Sequence, residues 1–348
     1  MPHTAPLGSF DLSGPDSSLS FAVQEDHDRP LAGSFVFGPA YDGTCFIIKG
    51  HRLHFCRPKE PEHWPPLFYI EVSTPQFPGV TGTFHNGQPY YFTSRDIYYI
   101  QGTGFGTFQP IPTKAKTGAQ SPMGAASVDG KGIFHTGSDG IYLFASGADQ
   151  KITEDTLEPL FRGEDVGGMP GVASMNTSWL AVFRNHLYFG YQDEDHDYPT
   201  NVLVMNLNTS KVAYYTYNDG SDVEIRTITV DETNGRLLIG DNAGFVRVIE
   251  STSYTEDGDE PIVWEVQSKD FNLGIRKHFP RWVKYDMNAT DATGVTGTLL
   301  LDGAVFHEHT ITGNRNTKRR LVGVGNGNRA AIRLDGSGPV TIYGAELE

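Results

Sequence analysis

The chain has 348 residues and a formal net charge of −15, with 40 glycines, 21 prolines and an aromatic content of 12%. That length supports two domains, and the glycine, proline and aromatic content predicts many short strands and turns with little helix. The acidic balance works against a broad phosphate-gripping face, and two cysteines are too few for a disulfide framework or a thiolate zinc site.

Residues 1–30 are rich in Pro, Gly, Ser and Asp and read as an arm. MPHTAPLGSFDLSG has neither the basic opening nor the apolar run of a secretory signal, and no run of eighteen apolar residues follows, so the expectation is a soluble protein made in the cytoplasm with no membrane partner. The first hairpin is CFIIKGHRLHF, bounded by Cys45 and Cys56, which are expected to be two buried, reduced thiols able to face each other across it. Prolines around Trp64 then forbid a regular central strand.

NGQPYYFTSRDIYYIQG, residues 86–102, sets a pattern that returns at Asp129-Gly130 and at Asn234-Gly235. The step from turn glycine to the second strand is ten residues for Gly87 to Ile97, eleven for Gly130 to Ile141 and ten for Gly235 to Phe245. Asn-Gly and Asp-Gly suit tight hairpin turns, and the flanking β-branched and aromatic residues suit a pleated surface. A short helix is expected after the third hairpin, capped by Thr153 with Glu154 and Asp155 in its first turn. SWLAVFRNHLYFGY, an acidic loop at residues 192–198 and NVLVMNLNTSKVAYYTY form a fourth unit; EIRTITVDETNGRLLIGDNAGFVRVIES forms a fifth.

Units recurring at roughly forty to fifty residues predict a β-propeller of about five or six blades over residues 31–257, with a β-sandwich of repeated hairpins as the structural alternative. Thr255 to Pro261 is the expected linker. Residues 262–348 then read as six strands, with turns at Asp302-Gly303 and Asp335-Gly336, in a small antiparallel β-sandwich. Charge divides the same way: residues 262–348 carry 11 Lys and Arg against 9 Asp and Glu, leaving 16 against 33 for the rest, or +2 against −17.

Several motifs have plain structural readings. Gly102–Gly106 and Gly323–Gly327 do not lead from strand into helix as a phosphate loop does. His307 and His309 share one face of a strand, a zinc-type spacing without a third ligand in view. Asp193, Asp195 and Asp197 alternate as in calcium loops, but the glycine and distal glutamate of an EF-hand loop are missing, so a solvated hairpin tip is expected. Tyr90, Tyr91, Phe92, Tyr98 and Tyr99 read as packing within and between repeats. No catalytic, cofactor-binding or metal-binding residue is therefore assigned, and no cofactor.

The order of motifs Leu53, Phe55, Arg57-Pro58, Glu60-Pro61-Glu62, Trp64-Pro65, Gly87–Tyr90, Ile97-Tyr98, Gly102, Phe134 and Asp139–Tyr142, followed by SKDF, Arg276–Phe279, TGTLLLDG, NGNRAAIRLDG and VTIYGAELE, resembles tail proteins of tailed bacteriophages. The resemblance is to the nozzle, or packaged-DNA stabilisation, proteins of short-tailed phages, and it runs from about Asp42 to Glu348. It implies a propeller-bearing structural component of the virion tail, ringed in several copies near the portal and its adaptor, through whose channel genomic DNA is retained and ejected without sequence-specific binding. Relative to that pattern the chain is short at its N-terminal end, and the family has no shared catalytic residues to carry over. The reading from a different class is a carbohydrate-binding or glycosidase-type propeller of a phage tail, which needs an acidic, aromatic-lined pocket.

Overall fold

A computed structural model describes residues 31–33, 35–104, 106–153, 157–217, 222–249, 256–257, 260–273, 282–288, 293–311, 317–321, 327–338 and 340–347. The N-terminal arm, Glu154, Asp155, Thr255 and most of Gly323–Gly327 lie outside them. The chain divides into two compact units near residue 252.

The N-terminal unit is a succession of antiparallel sheets, each made from consecutive strands. Sheet A holds β1 (Phe35–Phe37), β2 (Phe46–Lys49), β3 (Arg52–Phe55) and β4 (Tyr69–Glu71); sheet B holds β5 (Gly79–His85), β6 (Gln88–Thr93), β7 (Ile97–Gln101) and β8 (Gln109–Pro112). Sheet C holds β9 (Ala125–Val128), β10 (Gly132–Thr136), β11 (Ile141–Ala145) and β12 (Ala148–Lys151). Sheet D holds β13 (Ser174–Phe183), β14 (His186–Gln192), β15 (Asn201–Asn206) and β16 (Val212–Thr216), and sheet E holds β17 (Ile225–Asp231), β18 (Arg236–Asp241) and β19 (Val246–Ile249). Tight turns follow local chemistry: Asn86 and Gly87 both have positive φ, 51° and 74°, as a twisted two-residue hairpin turn demands. Arg184 and Asn185 adopt the same conformation, at 46° and 65°, between β13 and β14.

Packing decides how these sheets relate. The first strands of successive sheets lie against each other, β1 with β5, β5 with β9, β9 with β13 and β13 with β17. Four separate cores fill the spaces between one sheet and the next. Phe46, Leu53, Phe55, Tyr91 and Ile100 join A to B, and Phe92, Ile97, Ile133 and Phe144 join B to C. Phe134, Ile141, Leu180, Phe189 and Leu203 join C to D, and Trp179, Tyr188, Val204, Ile228 and Ile239 join D to E. Sheets B, C and D are thus covered on both faces, which is why β10 is buried at every position and β15 at all but its last.

Among the described residues the C-terminal unit has a single core. A sheet of order β22 (Val263–Gln267), β28 (Arg329–Ser337), β25 (Thr293–Leu301), β26 (Ala304–Thr310), with β23 (Phe271–Asn272) also on β28, packs on a second of order β27 (Thr317–Arg320), β24 (Trp282–Asn288), β29 (Thr341–Leu347). Val283, Tyr285 and Met287 project from one face of β24 onto Val295, Leu299, Ile332 and Leu334. A small ladder of β20 (Glu256–Asp257) with β21 (Glu260–Pro261) precedes them, where a linker was expected.

Four local expectations are corrected. The helix α1 covers Glu158–Phe161, with Leu157 at its N-cap and no side-chain cap; the Thr153 hydroxyl instead accepts a hydrogen bond from the Ile141 amide at 3.1 Å. The six strands expected over residues 262–348 are eight among the described residues, because the expected turn at Asp302 and Gly303 (φ 48° and 83°) divides one of them in two and β23 is separate from β22. Asp335-Gly336 lies inside β28 instead of in a turn: Gly336 makes room for Trp264 and Val295, and a Cβ there would come within 2.9 Å of the Trp264 ring. Cys56 is fully buried, but Cys45 is partly exposed.

Candidate functional site

The polar groups concentrate where the second strand of a sheet turns into the third. In sheet B the Thr93 hydroxyl accepts from the Arg95 and Asp96 amides at 3.1 and 2.7 Å, closing the corner TSRD on itself. In sheet C Asp139 accepts from the Tyr142 hydroxyl at 2.8 Å and the Lys151 ammonium at 3.0 Å, tying the corner to β11 and β12. In sheet E Asp241 accepts from the Phe245 amide at 2.7 Å and Arg247 Nε at 2.8 Å. Each corner therefore spends a carboxylate or hydroxyl on its own backbone or its own sheet.

Sheet D carries the most elaborate corner and the residues singled out by sequence. Asp193 receives Asn201 Nδ2 at 2.8 Å and lies 2.7 Å from His196 Nδ1; Asn201 Oδ1 in turn accepts from the Tyr214 hydroxyl at 2.6 Å. The far side of the His196 ring stands 3.5 Å from Asp222, so the imidazole bridges the β14–β15 corner and the connection leading to β17. Partial burial works to raise the Asp193 carboxyl, but the bonds from Asn201 and His196 outweigh it and hold it below its ordinary value. His196 is raised, chiefly by its hydrogen bond to Asp193 and further by the charges of Asp193, Asp222 and Glu224 against its burial.

Asp193, Asp195 and Asp197 are thus not equivalent. Asp193 points into the corner, while Asp195 and Asp197 are exposed and Asp195 contributes its amide to Asp193 at 3.1 Å. Among the described residues no three His, Cys, Asp or Glu side chains are grouped so as to hold a metal ion. Replacing Asp195 and Asp197 together by Asn is expected to change stability by less than about 0.5 kcal/mol, whereas Asp193→Ala takes one of two acceptors from Asn201 Nδ2 and the acceptor from His196 Nδ1, and costs about 1–3 kcal/mol. Urea unfolding curves of the two variants check this, and equal losses would contradict the division of roles.

The other singled-out residues are packing groups. His307 and His309 have ring centroids 5.5 Å apart, and His309 lies 5.3 Å from the Tyr285 ring. Tyr91 and Phe92 are buried, and Tyr90 meets Phe144 of the next sheet edge-on at 5.7 Å. Gly102 sits in the β7–β8 connection, its positive φ of 124° letting it pass close to the Thr107 carbonyl.

Sequence reasoning missed a segment that bonds to several sheets, residues 117–124 between sheets B and C. Ala119 N–H donates to the Thr93 carbonyl at 2.8 Å, Gln120 N–H to Thr136 at 3.0 Å, and the Met123 carbonyl receives Leu180 N–H at 2.9 Å. The Thr81 hydroxyl donates to the Pro122 carbonyl at 2.6 Å, and Ser121 Oγ lies 3.2 Å from Ser178 Oγ. TGAQSPMG reads as an ordinary loop because nothing in its residue types encodes the three sheets it touches. As a whole the polar arrangement clamps sheets to one another and leaves its carboxylates already partnered.

No protein-family model matches the chain, and no curated protein matches it. Among solved structures it is similar to the extracellular domain of the putative one-component system BT4673 from B. thetaiotaomicron, at 12% identity and TM-score 0.37 over 61% of this chain and 27% of that one. It is also similar to Hsv2 of Kluyveromyces marxianus, at 9% identity and TM-score 0.36 over 61% of each chain, and to Hsv2 of Kluyveromyces lactis, at 9% and 0.36 over 64% and 62%. The chain spans less than two thirds of the length of each.

Proposed function

We propose that the chain is a structural subunit of a tailed-bacteriophage tail, a propeller-type array of five sheets followed by a small sandwich, assembling as a ring through which DNA passes. Four separate cores between successive sheets support the propeller reading over a sandwich of hairpins, which would enclose one core between two sheets. The observation that carries the structural reading is that the corner carboxylates Asp139, Asp193 and Asp241 are each committed to the chain's own donors, which favours rigidity over turnover. The resemblance of its motif order to that of tail nozzle proteins supports the setting, the virion tail, and the partners, other copies of the chain and neighbouring head-to-tail proteins.

Charge fits that setting. With −17 on residues 1–261, a duplex sliding past this region meets like charge, and few phosphate contacts form to retard it. The purified protein is expected to sediment as a multimer and to leave a duplex DNA fragment unshifted at physiological salt. A monomer that cleaves a polysaccharide, with cleavage lost on changing one carboxylate pair, would overturn the reading in favour of a glycosidase.

A further inference from the structure

The first hairpin carries the chain's two cysteines in a reactive arrangement. In the β2–β3 register Phe46 stands opposite Phe55, which places Cys45 opposite Cys56 one position further out. Two bonds define that position: Cys56 N–H donates to the Cys45 carbonyl at 3.0 Å, and Cys45 N–H donates to Cys56 Sγ, also at 3.0 Å. The second bond points the Cys56 sulfur back across the ladder at its partner. The pair exchanges one backbone bond at the end of the ladder, where opposed residues have Cα atoms about 4.5–5.5 Å apart, within the roughly 4.4–6.8 Å that a disulfide spans. The two thiols differ in access: Cys56 is sealed beside Ile47 and Trp64, whereas Cys45 is partly exposed.

We propose that Cys45 and Cys56 form a reversible dithiol–disulfide pair, with Cys45 as the entry thiol, Cys56 as the resolving thiol and a low-molecular-weight disulfide such as oxidised glutathione as the oxidant. The Cys45 thiolate attacks one sulfur of the oxidant, the oxidant's S–S bond breaks, and one glutathione thiolate leaves with the electron pair and takes up a proton. Cys56 attacks the Cys45 sulfur, the mixed disulfide breaks, and the second glutathione leaves as a thiolate that takes up the proton Cys56 gives off. Two protein thiols are oxidised by two electrons, and one oxidised glutathione becomes two reduced ones. Such a pair stays a dithiol in a reducing compartment and closes outside one, stapling the hairpin that packs sheet A onto sheet B. Burial pushes the Cys56 thiol up to about 11, so the resolving step quickens as pH rises from about 7 to 9 while more of that thiol ionises.

The test treats the full chain with oxidised glutathione under native conditions, quenches with acid, alkylates in denaturant and reads intact mass. The wild type is expected to lose both alkylatable thiols and carry no glutathione. Cys56→Ser is expected to retain one glutathione, and Cys45→Ser to keep its thiol unreacted. A wild type that holds one glutathione stably, or that remains doubly alkylatable after exposures that modify Cys56→Ser, would overturn the proposal. So would ready glutathionylation of Cys45→Ser, which would make Cys56 the entry thiol. The wild-type mass decides the matter even where a variant folds poorly.

Discussion

Trp179→Ala is expected to destabilise the N-terminal unit by about 3–5 kcal/mol, the range for emptying a large aromatic site in a close-packed core. Trp179 is fully buried on β13, where it packs in the core between sheets D and E and makes a parallel bridge to Met123 in the 117–124 segment. Its ring lies over Gly190, the residue opposite it on β14, and a Cβ added there would come within 2.0 Å of the ring. Gly190→Ala should therefore be at least as damaging as losing the indole, because the ring must leave its seat. The double variant separates the two effects: with alanine at 179 the added methyl meets no ring, so Trp179→Ala/Gly190→Ala should be no less stable than Trp179→Ala alone. Urea unfolding of the three variants measures this, and simple additivity of the two losses would contradict the steric account.

Stability should also fall as pH drops from about 6.5 to 4, with His135 as the main contributor. This imidazole lies fully buried in β10, donates from Nδ1 to the Gly118 carbonyl at 3.0 Å, and is stacked on Tyr142 at 5.6 Å. Burial pushes it down to about 4, against opposing contributions from its bond to Gly118 and the charge of Asp149. Between its folded and ordinary values the unfolded chain binds the extra proton, so acid favours unfolding there and the effect levels off below about 4. A shift of that size corresponds to about 3 kcal/mol at most.

His54 is lowered as well, first by burial and then by Lys49 and Arg52, and adds to the same slope. His196 works in the opposite sense: raised in the fold, it contributes stability below its ordinary value that is lost as pH rises through the folded one. Asp139, Asp193 and Asp241, held low despite partial burial by their hydrogen-bond partners, act in a lower window, losing their contribution as pH falls below about 4. Urea midpoints across pH 4.5–7 should thus slope less in His135→Asn than in the wild type. An unchanged slope would mean that His135 is not the group being protonated.

The hairpin pattern was legible because its chemistry is local. Asn86-Gly87 marks a turn whose backbone angles few other residues accept, Gly235 closes a four-residue loop at φ 60°, and SWLAVFRNHLYFGY and NVLVMNLNTSKVAYYTY carry strands whose apolar residues leave little room for another state. The turn at Arg184-Asn185 lacks the glycine signal, and the surrounding ladder imposes its conformation instead. Strict alternation fails in β10 and β15 because neighbouring sheets cover both faces, a property of the array that no single strand encodes. The recurring corners were hidden for a different reason. Their lengths vary from TSRD to QDEDHDYPT, so the carboxylates at 139, 193 and 241 do equivalent jobs at unequal spacings, and only the bonds they make reveal the equivalence. Thr153 shows the limit of capping signals: it stands before a helix, but the Ile141 amide claims its hydroxyl. The exposed side of Cys45 was likewise invisible, since the apolar residues around it in sequence predict burial.

Negative-stain electron microscopy of the purified full chain tests the central claim most directly. Class averages are expected to show closed rings with a central hole. A uniform field of isolated monomers would contradict the ring-forming structural role.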